Sequence, residues 1–111
     1  MRNLSVIVDR VEPDDIVVVT NGCDIDIPVG STFTAIGKRK VDPSNYKSTD
    51  LGIVASICLI VKEVHLYHNK KVDVIPRGWS AGIVVEGSGL EQLKSALDAA
   101  EKYEGLKLIV G

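Results

Sequence analysis

The chain carries few side chains of the kinds that do chemistry, and their spacing decides how each is read. His65 and His68 form a His-x-x-His pair that would suggest a metal site. They fall in a segment patterned as a strand, where residues three apart point to opposite faces, so one ion could reach both only across a bulge or turn. Neither Cys23 nor Cys58 completes a ligand set, because the sequence has no Cys-x-x-Cys spacing. Cys58 lies in the most apolar stretch and is expected to be a small buried hydrophobe. The pairs Asp14–Asp15 and Asp24–Asp26 could act as acid and base, or as magnesium ligands. Each flanks a turn, where aspartate is favoured for local backbone hydrogen bonding, and no suitably placed histidine or lysine argues otherwise. Ser56, Ser80 and Ser88 lack a nucleophile elbow. No catalytic residue, metal or cofactor is therefore assigned, and the expectation is a protein that is not an enzyme.

Recognition chemistry is better represented. Lys38, Arg39, Lys40 and Lys47, with Lys70 and Lys71, could form a local basic patch beside Tyr46 and Tyr67, whose rings would stack on bases. The competing reading is a solvated rim, and the overall charge favours it. With 13 basic and 15 acidic side chains the formal net charge is −2, so no large positive field is available for a phosphate backbone. Arg77 and Trp79 flank Gly78 in a turn, and Trp79 is the sole tryptophan. Arg and Trp are over-represented among interface anchors, although a tryptophan can equally close one end of a barrel. The expected partner-binding surface thus comprises Arg77 and Trp79, joined by Lys38, Arg39, Lys40, Tyr46 and Tyr67.

The elements that must position these residues are mostly strands. Leu4 to Val11 and Ile16 to Thr20 are rich in Val and Ile, and the intervening Glu12-Pro13-Asp14-Asp15 predicts a hairpin turn. After the turn dipeptide Asn21-Gly22, Asp24 to Ile27 alternates until Pro28 stops it. Ser31 to Ile36 is a further strand, whereas 38–51 collects Pro, Ser, Asn and Asp and is expected to be a mobile loop. Ile53 to Tyr67 also matches a helical stripe, but its β-branched content favours strand. Its apolar parity switches from Ile57, Leu59 and Val61 to Val64 and Leu66, which predicts a bulge near Lys62-Glu63. Asn69-Lys70-Lys71 is expected to turn, Val72 to Ile75 to form a short strand, and Ala81 to Glu86 another. Helical spacing appears only at Leu90, Leu93, Ala96, Leu97 and Ala100, predicting a helix over about 89–103 with Ser88 or Gly89 as cap and Gly105 as stop. A strand over about 106–110 closes the chain.

At 111 residues, 45% of them hydrophobic and 25% charged, the sequence is that of one ordinary globular domain spanning 1–111. It is long enough to need no disulfide or metal staple. The apolar start is interrupted by Asp9 and Arg10, too soon for a signal peptide, and Ile53 to Val61 is about half a membrane span. A cytoplasmic protein with two free thiols is expected.

The order Val6 to Val11, Ile16 to Thr20 and Ile27-Pro28-Val29-Gly30-Ser31-Thr32-Phe33 resembles the opening of the second domain of translation GTPases such as elongation factor Tu. Val54-Ala55-Ser56-Ile57 and Ile75 to Gly87 are similar to later parts of that domain. The resemblance spans about 4–87 and implies a small closed or partly open β-barrel, standing without the GTPase domain, since no Gly-x-x-x-x-Gly-Lys-Ser/Thr loop is present. In the complete factors this barrel contacts RNA ends or ribosomal surfaces. Two partner expectations follow. The first is a non-enzymatic module that binds a protein, for instance an accessory or immunity-type protein that sequesters a toxin. The second is an RNA- or ribosome-binding barrel. No nucleotide or membrane partner is expected, and a homodimer through an open sheet edge or Leu66-Tyr67 is left open.

Overall fold

The computed structural model describes residues 4–67 and 70–111, so His68 of the His-x-x-His pair and Asn69 of the expected turn lie outside the described residues. The Val- and Ile-rich segments form strands, as branched side chains fit a pleated, half-buried surface. These are β1 (Ser5–Val11), β2 (Val17–Thr20), β3 (Ile27–Pro28), β4 (Thr32–Val41), β5 (Ser48–Leu66), β6 (Lys70–Val72), β7 (Val74–Ile75), β8 (Ser80–Ser88) and β9 (Glu104–Val110). One helix, α1 (Leu90–Ala99), lies between β8 and β9.

Six strands pair in the order β4-β9-β1-β2-β8-β5, and a further β4–β5 pairing closes them into a ring. All pairings are antiparallel. β6 adds to the C-terminal end of β5, while β3 and β7 make a separate two-residue ladder. Alternation sends Val6 and Val8, Val17 and Val19, Ala81 and Ile83, and Leu106 and Leu108 to one interior. On β5 the buried set is Leu59, Val61 and then Val64, and the register with β8 shifts between Val61 and Glu63. The parity switch at Lys62 is therefore a bulge, as the sequence predicts. At about 3.3 Å per residue, the 19-residue β5 would run roughly 60 Å if straight. The longest dimension of the molecule is 38 Å, so β5 bends, and its register shifts against β4 and β8 relieve the curvature.

The helix lies against the core through Leu93, which is fully buried, with Leu90, Ala96 and Leu97 packed beside it. Burying such a leucine is worth about 1.5–3 kcal/mol. It ends earlier than its apolar spacing predicts: Ala100 is already extended, and Glu104 N–H donates to the Glu101 carbonyl to reverse the chain. Tyr103 takes a positive φ of 69° in that reversal, and Gly105 belongs to β9 rather than stopping the helix.

The 38–51 segment corrects a second expectation. It is not a loop but the end of a long β4–β5 hairpin, paired from Thr32↔Ile60 out to Val41↔Ser48, with β9 on the other side of β4 through Lys40↔Glu104. Two ladder partners override the polar composition here. The ladder shifts register once within this segment, between Lys38 and Arg39, and the turn at 42–47 is tied by Tyr46 N–H to the Asp42 carbonyl. Asp24 to Asp26 likewise do not form a strand, and Lys70 and Lys71 lie in β6 rather than in a turn. Among the described residues no helix is long and apolar enough to cross a membrane.

Candidate functional site

Strand direction sorts the candidate residues into two groups. β2 ends and β8 begins at Thr20↔Ser80, and β5 ends beside β8 at His65↔Gly82. Arg77, Trp79 and Tyr67 therefore belong to one end of the ring. Lys38, Arg39, Lys40 and Tyr46 belong to the hairpin arm at the other. The single surface expected from sequence is divided.

At the first end a residue that sequence reasoning treated only as part of a turn organises everything. Asn21 is the sole polar side chain that is fully buried among the described residues. Its amide donates to the carbonyls of Ile25 at 3.0 Å and Ile75 at 2.8 Å, and its side-chain oxygen accepts the Cys23 N–H at 2.9 Å. Its backbone N–H donates to the Trp79 carbonyl at 2.9 Å, and its carbonyl accepts the Gly78 N–H at 2.6 Å. The bond to Ile75 is buried, where an unpaired partner is costly, and those to Ile25 and Cys23 are part-buried. Trp79 N–H also donates to the Pro76 carbonyl, closing a tight turn in which Gly78 has φ 76°, a conformation that favours glycine. Asp26 accepts the Arg77 N–H at 2.9 Å, and Arg77 Nη1 lies 3.5 Å from the Asp24 carbonyl. This gives Asp26 a structural role in fastening the turn. Trp79 remains 57% exposed on this frame, and Ile25, whose carbonyl Asn21 holds, is exposed as well.

The hairpin arm is held by shorter-range bonds. Asp42 accepts from the Ser44 N–H and hydroxyl, Asn45 from the Lys47 N–H, and Asp50 from the Gly52 N–H. Lys38 pairs with Glu104 at 2.9 Å, and Lys107 reaches Asp50 at 3.1 Å. Lys107 crosses β4 above Gly37, where any Cβ would come within 2.7 Å of the Lys107 side chain. Arg39 lies over Gly105 in the neighbouring pair, and its Nε is buried without a hydrogen-bond partner among the described residues. Arg39, Asp50 and Lys107 line a cleft of about 320 Å³ with Ser5, Ile7, Gly22, Cys23 and Ser48, so the arm adjoins the residues that follow Asn21. Tyr46, at the tip, is 84% exposed with a positive φ of 58°.

The ionisable groups settle into ordinary ion pairs. The Gly52 N–H and then Lys107 hold the Asp50 carboxyl below its usual value, and the Ser44 hydroxyl and N–H do the same for Asp42. Glu104 is lowered by the Glu101 N–H and by Lys38, and Glu63 by Lys71 with a smaller contribution from His65. Asp15 raises Lys94, which places Asp15 in a surface ion pair with the helix. His65 lies 3.3 Å from Glu63, whose carboxylate also meets Lys71. Among the described residues no three His, Cys, Asp or Glu side chains gather as a metal site would require.

Cys58 is exposed, contrary to its apolar setting, because it sits on the outward parity of β5 beside buried Leu59. Cys23 is half-buried and donates its thiol to the Ser5 carbonyl at 3.1 Å. Both thiols are free. Comparison with protein-family models, with curated proteins and with solved structures found no match.

Proposed function

We propose that this chain is a non-enzymatic binding module that recognises a protein partner through the turn carrying Arg77 and Trp79. The observation that carries this reading is an exposed tryptophan on a turn fastened to buried Asn21. A large aromatic ordered in advance loses little conformational freedom when a partner covers it, and Trp and Arg dominate interface energetics for that reason. Ile25 extends the apolar surface on the same frame. An accessory or immunity-type role, in which the module masks a toxin, is one concrete form of this function. On this reading the ring of six strands is a small closed β-barrel similar to the second domain of translation GTPases, a view supported by its closure through β4 and β5.

The RNA- or ribosome-binding alternative would draw on Arg39, Lys40 and the exposed Tyr46 and Tyr67. Against it, Lys38, Lys62, Lys71, Lys94 and Lys107 each lie within ion-pairing distance of a carboxylate. Their positive charge is largely compensated, which favours a protein partner.

The two readings separate on salt and on one substitution. A partner captured on the immobilised chain is expected to bind Trp79→Ala about 30-fold or more weakly, with little dependence on salt. Capture of an RNA whose affinity falls steeply with salt, or an unchanged affinity for Trp79→Ala, would overturn the proposal.

A further inference from the structure

The cleft beside Arg39 is built on the outer face of β1, β9 and β4. On β9, Leu106 and Leu108 face the core, so Lys107 between them points outward, and its ladder partners Ile7 and Gly37 share that face. Arg39 shares it too, two residues along β4 from Gly37 and opposite Gly105. Gly22 and Cys23 form one wall, fastened where the Cys23 thiol donates to the Ser5 carbonyl and the Cys23 N–H to the Asn21 side chain. Ser48 and Asp50 of β5 form the other. A volume of about 320 Å³ lies at the small end of the range for small-molecule sites.

Charge in this cleft is not balanced. Lys107 pairs with Asp50 at 3.1 Å, whereas Arg39 has no ion pair among the described residues. Two cations and one carboxylate line the cleft, so one positive charge is left over. The Arg39 Nε–H is moreover a buried donor without an acceptor among the described residues. A buried donor on a charged group is costly to leave unpaired, and an oxyanion that reaches the guanidinium relieves that cost.

We propose that the cleft binds a small organic monocarboxylate, with its carboxylate on Arg39 and its hydrocarbon part against Ile7. A guanidinium meets a carboxylate through two parallel N–H···O bonds, and one of these uses the Nε–H. Rotation about the outer bonds of the Arg39 side chain brings that group, otherwise covered, to the bound oxygen. The residual charge of the cleft matches a single negative charge. A phosphate dianion fits less well, because the Asp50 carboxylate, cross-strand from Arg39, repels the second charge. Neither Arg77 nor Trp79 lines the cleft, so the site stands apart from the proposed docking surface.

The test is a titration of the full chain with sodium butyrate to about 50 mM, against sodium chloride and sodium phosphate at matched ionic strength. Nuclear magnetic resonance follows the Arg39 Nε–H and the amides of Gly22 and Cys23. Butyrate is expected to shift all three saturably, with a dissociation constant of about 1 mM, and phosphate to bind more weakly. Arg39→Gln is expected to weaken butyrate binding about tenfold or more. Alkylation supplies an independent readout on the unsubstituted chain: butyrate slows the reaction of Cys23, which lines the cleft, and leaves that of exposed Cys58 unchanged. Shifts that fail to saturate, or that chloride reproduces, overturn the proposal. So do phosphate binding as tight as that of butyrate, an unchanged affinity in Arg39→Gln, and a Cys23 that butyrate does not protect.

Discussion

The two ends of the ring offer opposite solutions to presenting a surface. At the Trp79 end, a buried asparagine ties residues 21, 23, 25, 75, 78 and 79 together through five hydrogen bonds, several of them across more than fifty positions of sequence. At the hairpin arm, side-chain bonds in the turn region span two residues, and the long-range ties are partly exposed ion pairs. The first end fixes the backbone that carries one exposed aromatic. The second holds a long strand through its backbone ladder with β4, with ion pairs laid across the ladder. Rigidity therefore resides where buried polar groups are fully satisfied.

The comparison breaks most visibly at Asn21. Asn21→Ala leaves two carbonyls and one N–H without their partner, and is expected to lower stability by about 3 kcal/mol in a denaturant titration. Trp79 fluorescence should report a loosened turn at denaturant concentrations where the wild type is unchanged. A loss under about 1 kcal/mol would mean that the hub is not the fastening described. Gly78→Val forces a branched residue into φ 76° and is expected to cost about 1–2 kcal/mol, with the change in amide exchange centred on 76–80.

Acid distinguishes the two ends more finely. Asp42, Asp50 and Glu104 all belong to the arm or its contact with β9, and each is held below its ordinary value in the folded chain. A lowered carboxylate contributes stability above its unfolded value and loses that contribution as pH falls through the folded one. Amide exchange in 42–50 is therefore expected to accelerate below about pH 4 before that of Gly78 and Trp79 does. The smallest effect belongs to Asp50→Asn, which removes the charge that meets Lys107 but keeps an acceptor for Gly52. The thermal unfolding midpoint should barely move, since Asp50 is exposed and its pair with Lys107 is screened by solvent.

Much of the sheet was legible because Val and Ile alternate wherever a strand has one buried face. The parity switch pointed to a bulge or bend near Lys62-Glu63, and the register shift between Val61 and Glu63 keeps Val61 and Val64 on the same interior. The arm was not legible, because its polar residues are strands only by virtue of partners in β5 and β9. Cys58 misled for the converse reason: β5 stays apolar on its outward positions, so hydrophobicity there does not report burial. The candidate site was half legible. Arg77 and Trp79 were marked by residue type and by Gly78, but the importance of Asn21 depends on the carbonyl of Ile75, 54 residues away, which no local pattern reveals.

The central claim is that a protein partner docks on the Asn21-fastened turn. It is tested most directly by hydrogen exchange on the chain with its captured partner bound. Protection gained at 24–26 and 76–80 is the predicted footprint. Protection confined to the hairpin arm, with the Trp79 turn exchanging as in the free chain, would contradict the account.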